Sequence, residues 1–271
     1  MTLPITVRSV TVPGARLHYE IRGSGPLLLV IGSPMASAEF APLAGELAGN
    51  HSVVTYDPRG YAASPVEDPD AQSSVEQRAD DVNAILDDLG ADSADVFGSS
   101  GGAVTGLALV ARHPGRVRTL VAHEPPLLAL LPDAADQLAN TEAIIDTFHR
   151  EGFEAAWRHF MHNAGFDVSA GDAPPGAAEP SEDDVRQAAR FFEIDMRPTT
   201  RYLPDVDTLK SSSSRVVIGI GVDSGRLLTY RTSMALAELL GTAPVEFPGD
   251  HGGFMGAPKE FADVLHRVLS A

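Results

Sequence analysis

Apolar runs of strand length alternate with segments of helical period along most of this chain, and that alternation admits few folds. It is the pattern of a mostly parallel sheet covered by helices on both faces. Strands are predicted at Val7 to Val12, Arg16 to Ile21, Leu27 to Ile31, Ser52 to Tyr56, Ala94 to Phe97, Thr119 to His123, Arg215 to Gly221 and Pro244 to Phe247. The first two alternate apolar with polar residues, as an antiparallel edge does. The later ones are continuously apolar, as strands buried on both faces must be. Helices are predicted at Ala38 to Ala48, Ser74 to Leu89, Ala103 to Arg112, Leu227 to Leu240 and Pro258 to Leu269, the second opening on the capping sequence "SVEQ". The expectation is an α/β protein built on an eight-stranded sheet.

The alternation fails once. Between Leu127 and Ser214 no strand pattern exists, only helix-period segments and the loop "DVSAGDAPPGAAEPSEDD". This predicts a core domain from residues 1–126 and 211–271, interrupted by a helical cap at 127–210, with the "SSSS" tract at 211–214 as the hinge of return.

Composition narrows the function. At 271 residues the chain can bury a large core, and its formal net charge is −17 with no basic cluster, so nucleic acid and anionic membrane surfaces would be repelled. Cysteine is absent, which excludes disulfides, thiolate nucleophiles and cysteine-ligated zinc. No apolar run reaches membrane-spanning length, and "MTLPITVRSVTVPGARLHYE" has neither a basic n-region nor an apolar h-region. The expectation is a soluble cytoplasmic protein acting on a small molecule without a cofactor; a homodimer is left open. His159 and His162 stand at helical i, i+3 spacing, yet no carboxylate is placed as a third ligand, so no metal site is assigned.

Chemistry concentrates where predicted strands end. Gly98-Ser99-Ser100-Gly101-Gly102 fits G-x-S-x-G, between a strand and a helix. A serine on so sharp a turn needs small neighbours, and its oxygen then stands at the sheet edge near a helix N-terminus that favours developing negative charge. The same residues would also suit a phosphate-binding or merely tight turn, although neither phosphate-loop fingerprint is present. "EFPGDHGGFMG" puts His251 in a glycine-rich loop after the last strand, at the same edge, as a candidate base for Ser100. "LLLVIGSPM" ends a third strand there, so the backbone N–H of Ser33 or of Gly32 can pair with that of Gly101 as an oxyanion hole. For the acid that orients His251, Glu124 at the end of the sixth strand is preferred to Asp223 on position. His123 points to the opposite face on strand alternation and is predicted to be packed rather than catalytic.

With these residues in hand, the sequence resembles the α/β-hydrolase superfamily over nearly its whole length, through "YDPRGYAAS", "GSSGG", "ARHPGRVRTLV" and "GDHGGF". It departs twice. The usual His-Gly before the oxyanion loop is Ile31-Gly32, and the usual triad aspartate position is Ser224, with Asp223 one residue short. A glutamate at position 124 is similar to the arrangement in haloalkane dehalogenases and in zearalenone-type lactone hydrolases, the latter also matching in "HPGRVRTLVAHEPP". Dehalogenation itself would need a carboxylate where Ser100 stands. The expected activity is cleavage of an ester or lactone of a fairly apolar small molecule, with Ser100, His251 and Glu124 catalytic and Trp157, Phe191, Phe192 and Met196 of the cap against substrate. Carbon–carbon bond hydrolysis and acyl transfer fit the same triad, and a ligand-binding protein on a hydrolase scaffold is the rival from another class; a burst of product without steady turnover would favour it.

Overall fold

Eight strands form one sheet in the computed structural model, which describes residues 4–166 and 181–271. The strands are β1 (Ile5–Val12), β2 (Ala15–Gly23), β3 (Leu27–Ile31), β4 (Ser52–Tyr56), β5 (Ala94–Ser99), β6 (Val117–His123), β7 (Arg215–Gly221) and β8 (Val245–Phe247). Their spatial order is β1-β2-β4-β3-β5-β6-β7-β8. The β1–β2 and β2–β4 pairs are antiparallel and all the others parallel, so the alternating segments do form the antiparallel edge.

Successive side chains of a strand face opposite ways, and the two cores follow from that. Leu28, Val30, Val53, Phe97 and Val121 face one side, where they pack with α1 (Ser37–Leu47). Leu29, Ile31, Val54, Val96 and Leu120 face the other, against α2 (Val75–Asp88) and α3 (Gly101–Arg112). Both faces of the central strands are therefore dry. Ser74 caps α2 as its sequence predicts, its hydroxyl accepting the Gln77 N–H at 3.1 Å.

Between β6 and β7 the described residues contain helices and no strand. They are α4 (Ala134–Glu151), α5 (Phe153–Ala164), α6 (Glu182–Arg190), a π-helical turn at Phe191–Asp195, α7 (Met196–Arg201) and α8 (Val206–Ser211). Residues 167–180 of the predicted loop lie outside the described residues. Its last residues are not loop: the Ser181 hydroxyl accepts the Asp184 N–H while the Asp184 carboxylate accepts that of Ser181, a reciprocal cap that starts α6. Ile144, Ile145, Ala156, Phe192 and Met196 give this segment a small core of its own. By contrast, α8 carries Leu209 into the core of the sheet. The serine tract leads directly into β7, with the Ser214 hydroxyl donating to Val117 O at 2.6 Å. The chain closes with α9 (Leu228–Leu240), α10 (Gly253–Gly256) and α11 (Pro258–Ser270). Among the described residues no helix is long and apolar enough to cross a membrane.

Where β5 turns into α3 the backbone clearances leave no room for a side chain. A Cβ on Gly98 would meet Gly102 O at 2.6 Å, one on Gly101 would meet Ser33 O at 2.6 Å, and one on Gly102 would overlap the Ile31 carbonyl. The obstacle in each case is main chain, which cannot rotate aside. Gly102→Ala is expected to destabilise the protein by about 1–3 kcal/mol through this overlap, read as a lower urea midpoint at unchanged m. An alanine variant with the parental midpoint would show that the two backbones can separate freely.

Candidate active site

Ser100 stands alone between β5 and α3 with φ 56° and ψ −124°, a conformation that L-residues avoid. Its N–H donates to His123 O at 2.9 Å, and its carbonyl accepts the Ala103 and Val104 N–H groups, so both sides of the turn are fixed. The strain is thereby held by β6 and by the first turn of α3. Ser100 and Gly101 line a cavity of about 490 Å³, together with Ser33, His251 and residues of the inserted helices.

Glu124 follows β6 directly and is fully buried, with φ 50°. Its Oε2 lies 2.7 Å from His251 Nδ1 and also accepts the Thr229 hydroxyl at 2.8 Å, while Oε1 accepts the Gly221 N–H at 2.9 Å. Because a carboxylate only accepts, His251 carries a proton on Nδ1, and in the neutral ring Nε2 is then the nitrogen with the free lone pair. Burial pushes the Glu124 carboxyl upward, but the hydrogen bond and charge of His251, aided by His123 and Ser224, outweigh it and hold the group down at about 2. Asp223 is exposed, with its N–H on Gly249 O, and it takes no part in this arrangement. Ser224, at the usual acid position, is buried beside Gly221.

His123 is packed, as strand alternation predicts. Its ring sits among Phe97, Phe247 and Phe261, and its Nδ1 lies 3.2 Å from Ser99 Oγ. Desolvation drives it down to about 4, with Glu124 opposing and His251 assisting. A neutral imidazole therefore lies beneath this edge of the sheet at ordinary pH.

Ser33 lines the cavity, whereas Gly32 is buried behind it with Phe40 and Met35 against its Cα. Trp157, Phe191 and Met196 face the cavity as expected. Phe192 does not: it is fully buried in the core of the inserted helices, its ring 5.2 Å from that of Phe148. The π-helical turn explains the difference, because it puts Phe191 and Asp195 toward the cavity and leaves Phe192 and Ile194 to pack. His159 is engaged with Thr147 Oγ1 at 3.1 Å, and no group of three metal-ligating side chains exists among the described residues.

Sequence reasoning passed over Thr229, Arg78 and Asp195. Thr229 left no signal, being one of several polar residues at a helix start. Arg78 did: it falls on the apolar stripe of α2 with Val75, Ala79 and Val82, where a cation is out of place. Asp195 likewise sits in an aromatic stretch, "FFEIDM", and is buried with Oδ2 accepting the Tyr61 hydroxyl at 2.6 Å.

A strained serine after a central strand, sharing one cavity with a histidine held by a buried acid, is an arrangement that fits an α/β-hydrolase-fold enzyme. The family described as alpha/beta hydrolase fold matches residues 25–220, and the chain belongs to that family. The hydrolase YraK of Bacillus subtilis is 34% identical over 96% of this chain and 95% of its own length. RutD of Caulobacter vibrioides, provisionally named a carbamate hydrolase, is 38% identical over 96% of each chain. Among solved structures, a thermophilic esterase from Thermogutta terrifontis superposes with a TM-score of 0.74 at 18% identity, covering 98% of both chains.

The two perturbed groups give stability a pH dependence of known sign. Unfolded His123 binds a proton near its ordinary value of 6.5 and folded His123 only near 4, so stability is lost as pH falls between these values. The Glu124 contribution, complete above its ordinary 4.5, drains away as pH falls further toward 2. Each amounts to roughly 3 kcal/mol. Urea unfolding from pH 7 to pH 4 should show the first loss in the parent and a flatter profile in His123→Gln. Parallel profiles would mean that His123 is not the group responsible.

Proposed function

We propose that this hydrolase is a serine enzyme cleaving a carboxylic ester or lactone of a fairly apolar small molecule through an acyl-enzyme. The observation that carries the reading is the 2.7 Å contact of His251 Nδ1 with buried Glu124, on the cavity that Ser100 also lines. Ser100 Oγ attacks the carbonyl carbon as its proton passes to His251 Nε2. The N–H groups of Gly101 and Ser33 receive the oxyanion. His251 then gives the proton to the departing alkoxide, leaving the acyl group on Ser100. Water repeats the sequence, donating its proton through His251, and releases the acid. Glu124 stays ionised throughout and stabilises the transient imidazolium.

The substrate class rests on the cavity wall. Trp157, Phe160, Phe191, Met196, Met35 and Met255 present apolar surface, which selects apolar flanks around a polar reacting group. In this reading residues 127–210 act as a cap that shapes the cavity, and the enzyme works in the cytoplasm. A carbamate carbonyl is the second reading, favoured by the 38% identity with RutD. It uses the same nucleophile and base, and parallel assays of aryl esters, macrocyclic lactones and aryl carbamates separate the two.

Ser100→Ala is expected to lower kcat on the order of a thousandfold or more while leaving the fold intact, and to abolish labelling by a fluorophosphonate. A variant that keeps a tenth of the activity would remove Ser100 from the nucleophile's role.

Glu124→Gln keeps the side chain's shape and removes its charge, so kcat should fall by roughly 10³- to 10⁴-fold with little change in KM. Asp223→Asn should change kcat less than about threefold, since this exposed carboxylate makes no hydrogen bond or ion pair with His251. The reverse ranking would transfer the acid to Asp223.

A further inference from the structure

Arg78 is only 2% exposed, yet it lies in no ion pair among the described residues. Its Nη1 donates to Ser33 Oγ at 3.0 Å and its Nη2 to Thr199 Oγ1 at 2.8 Å. Asp81 is near enough to feel the charge, but Arg59 occupies both of its oxygens. A buried cation held by two neutral hydroxyls is costly in the resting protein. Beside a reacting carbonyl the cost falls as negative charge develops there.

The hydrogen-bond directions sharpen this. A guanidinium has only donors, so Ser33 Oγ must accept from Arg78 and its own proton must point elsewhere. Among the described residues nothing accepts that proton. Ser33 lines the cavity beside Ser100 and Gly101, and a Cβ on Gly101 would stand 3.3 Å from Ser33 Oγ. Resting on the serine mechanism above, we infer that the Ser33 hydroxyl is a third oxyanion donor, beside the backbone N–H groups of Ser33 and Gly101, and that Arg78 is the positioning residue that aims and polarises it. The charged hydrogen bond withdraws electron density from Oγ and strengthens the bond that its proton donates. That proton stays on Ser33 throughout, and no covalent bond changes at Ser33 or Arg78. Thr199 of α7 steadies the other arm of the guanidinium, so the aim of the hydroxyl depends on the seating of the inserted helices.

The test compares Ser33→Ala, Arg78→Met, Arg78→Lys and the Ser33→Ala/Arg78→Met double variant, with Ser100→Ala alongside. Ser33→Ala should lower kcat on the order of 100-fold with KM nearly unchanged, and Arg78→Met should act similarly. The double variant should be no worse than the poorer single one, since both remove one donor. A trifluoromethyl ketone, captured by serine as a charged tetrahedral adduct, should lose affinity in each variant by the same factor as kcat/KM. A purely structural defect would not keep the two in proportion. Arg78→Lys retains the charge and should recover part of the loss; if Arg78→Met does not fold, this variant and Ser33→Ala carry the test. Parental kcat and ketone affinity in Ser33→Ala, or full additivity in the double variant, would overturn the inference. Turnover surviving in Ser100→Ala would instead overturn the serine mechanism on which it rests.

Discussion

A close approach of backbone to backbone, where the first turn of α3 crosses the ends of β5 and β3, fixes the geometry around the site. Gly98, Gly101 and Gly102 each face main-chain atoms within a distance that no side chain tolerates. That proximity accompanies the positive φ of Ser100, brings the Ser33 loop against Gly101, and so places Ser100 and Ser33 in one frame. Sheet register carries the frame outward. Gly98 lies opposite Ala122 and Ser99 opposite His123, which leaves Glu124 one residue past β6. His123 in turn pairs with Gly219, so Glu124 can receive the Gly221 N–H of β7. Four strand ends thus converge without any long-range adjustment.

Electrostatics at this edge divides labour between neighbours in sequence. His123 and Glu124 are adjacent, yet one is kept neutral by burial among aromatic rings and the other ionised beside a histidine, with the Thr229 hydroxyl and the Gly221 N–H as two further donors. Alternation along the strand puts them in different surroundings, and surroundings decide the charge.

Much of this was legible in the sequence because strand-end chemistry obeys local rules. All eight strands and the five core helices were placed to within a few residues, since buried parallel strands are continuously apolar and the helices carry caps and stripes. The preference for Glu124 over Asp223 followed from strand position, and Glu124 is the carboxylate that lies 2.7 Å from His251 Nδ1. Phe192 was misjudged because periodicity gives faces only for regular helices, and a π-helical turn rotates them. Arg78 and Thr229 escaped because their roles come from tertiary contacts across 45 and 105 residues of chain. No local pattern encodes such a partner, although a cation on an apolar stripe signals that one exists.

The separate core of the inserted helices has a bearing on descent. Ile144, Ile145, Phe148 and Phe192 pack with one another and with no strand of the sheet, so the ground they stabilise is largely their own. Mutations there draw on a local reserve of stability and leave the sheet's reserve intact. Lineages can then reshape the pocket wall while the strand-end chemistry is inherited unchanged. Drift must still respect the tethers to the sheet domain, among them the buried Arg78 shared by Ser33 and Thr199, the Tyr61 hydroxyl on Asp195 and the Arg190 guanidinium on Arg59 O.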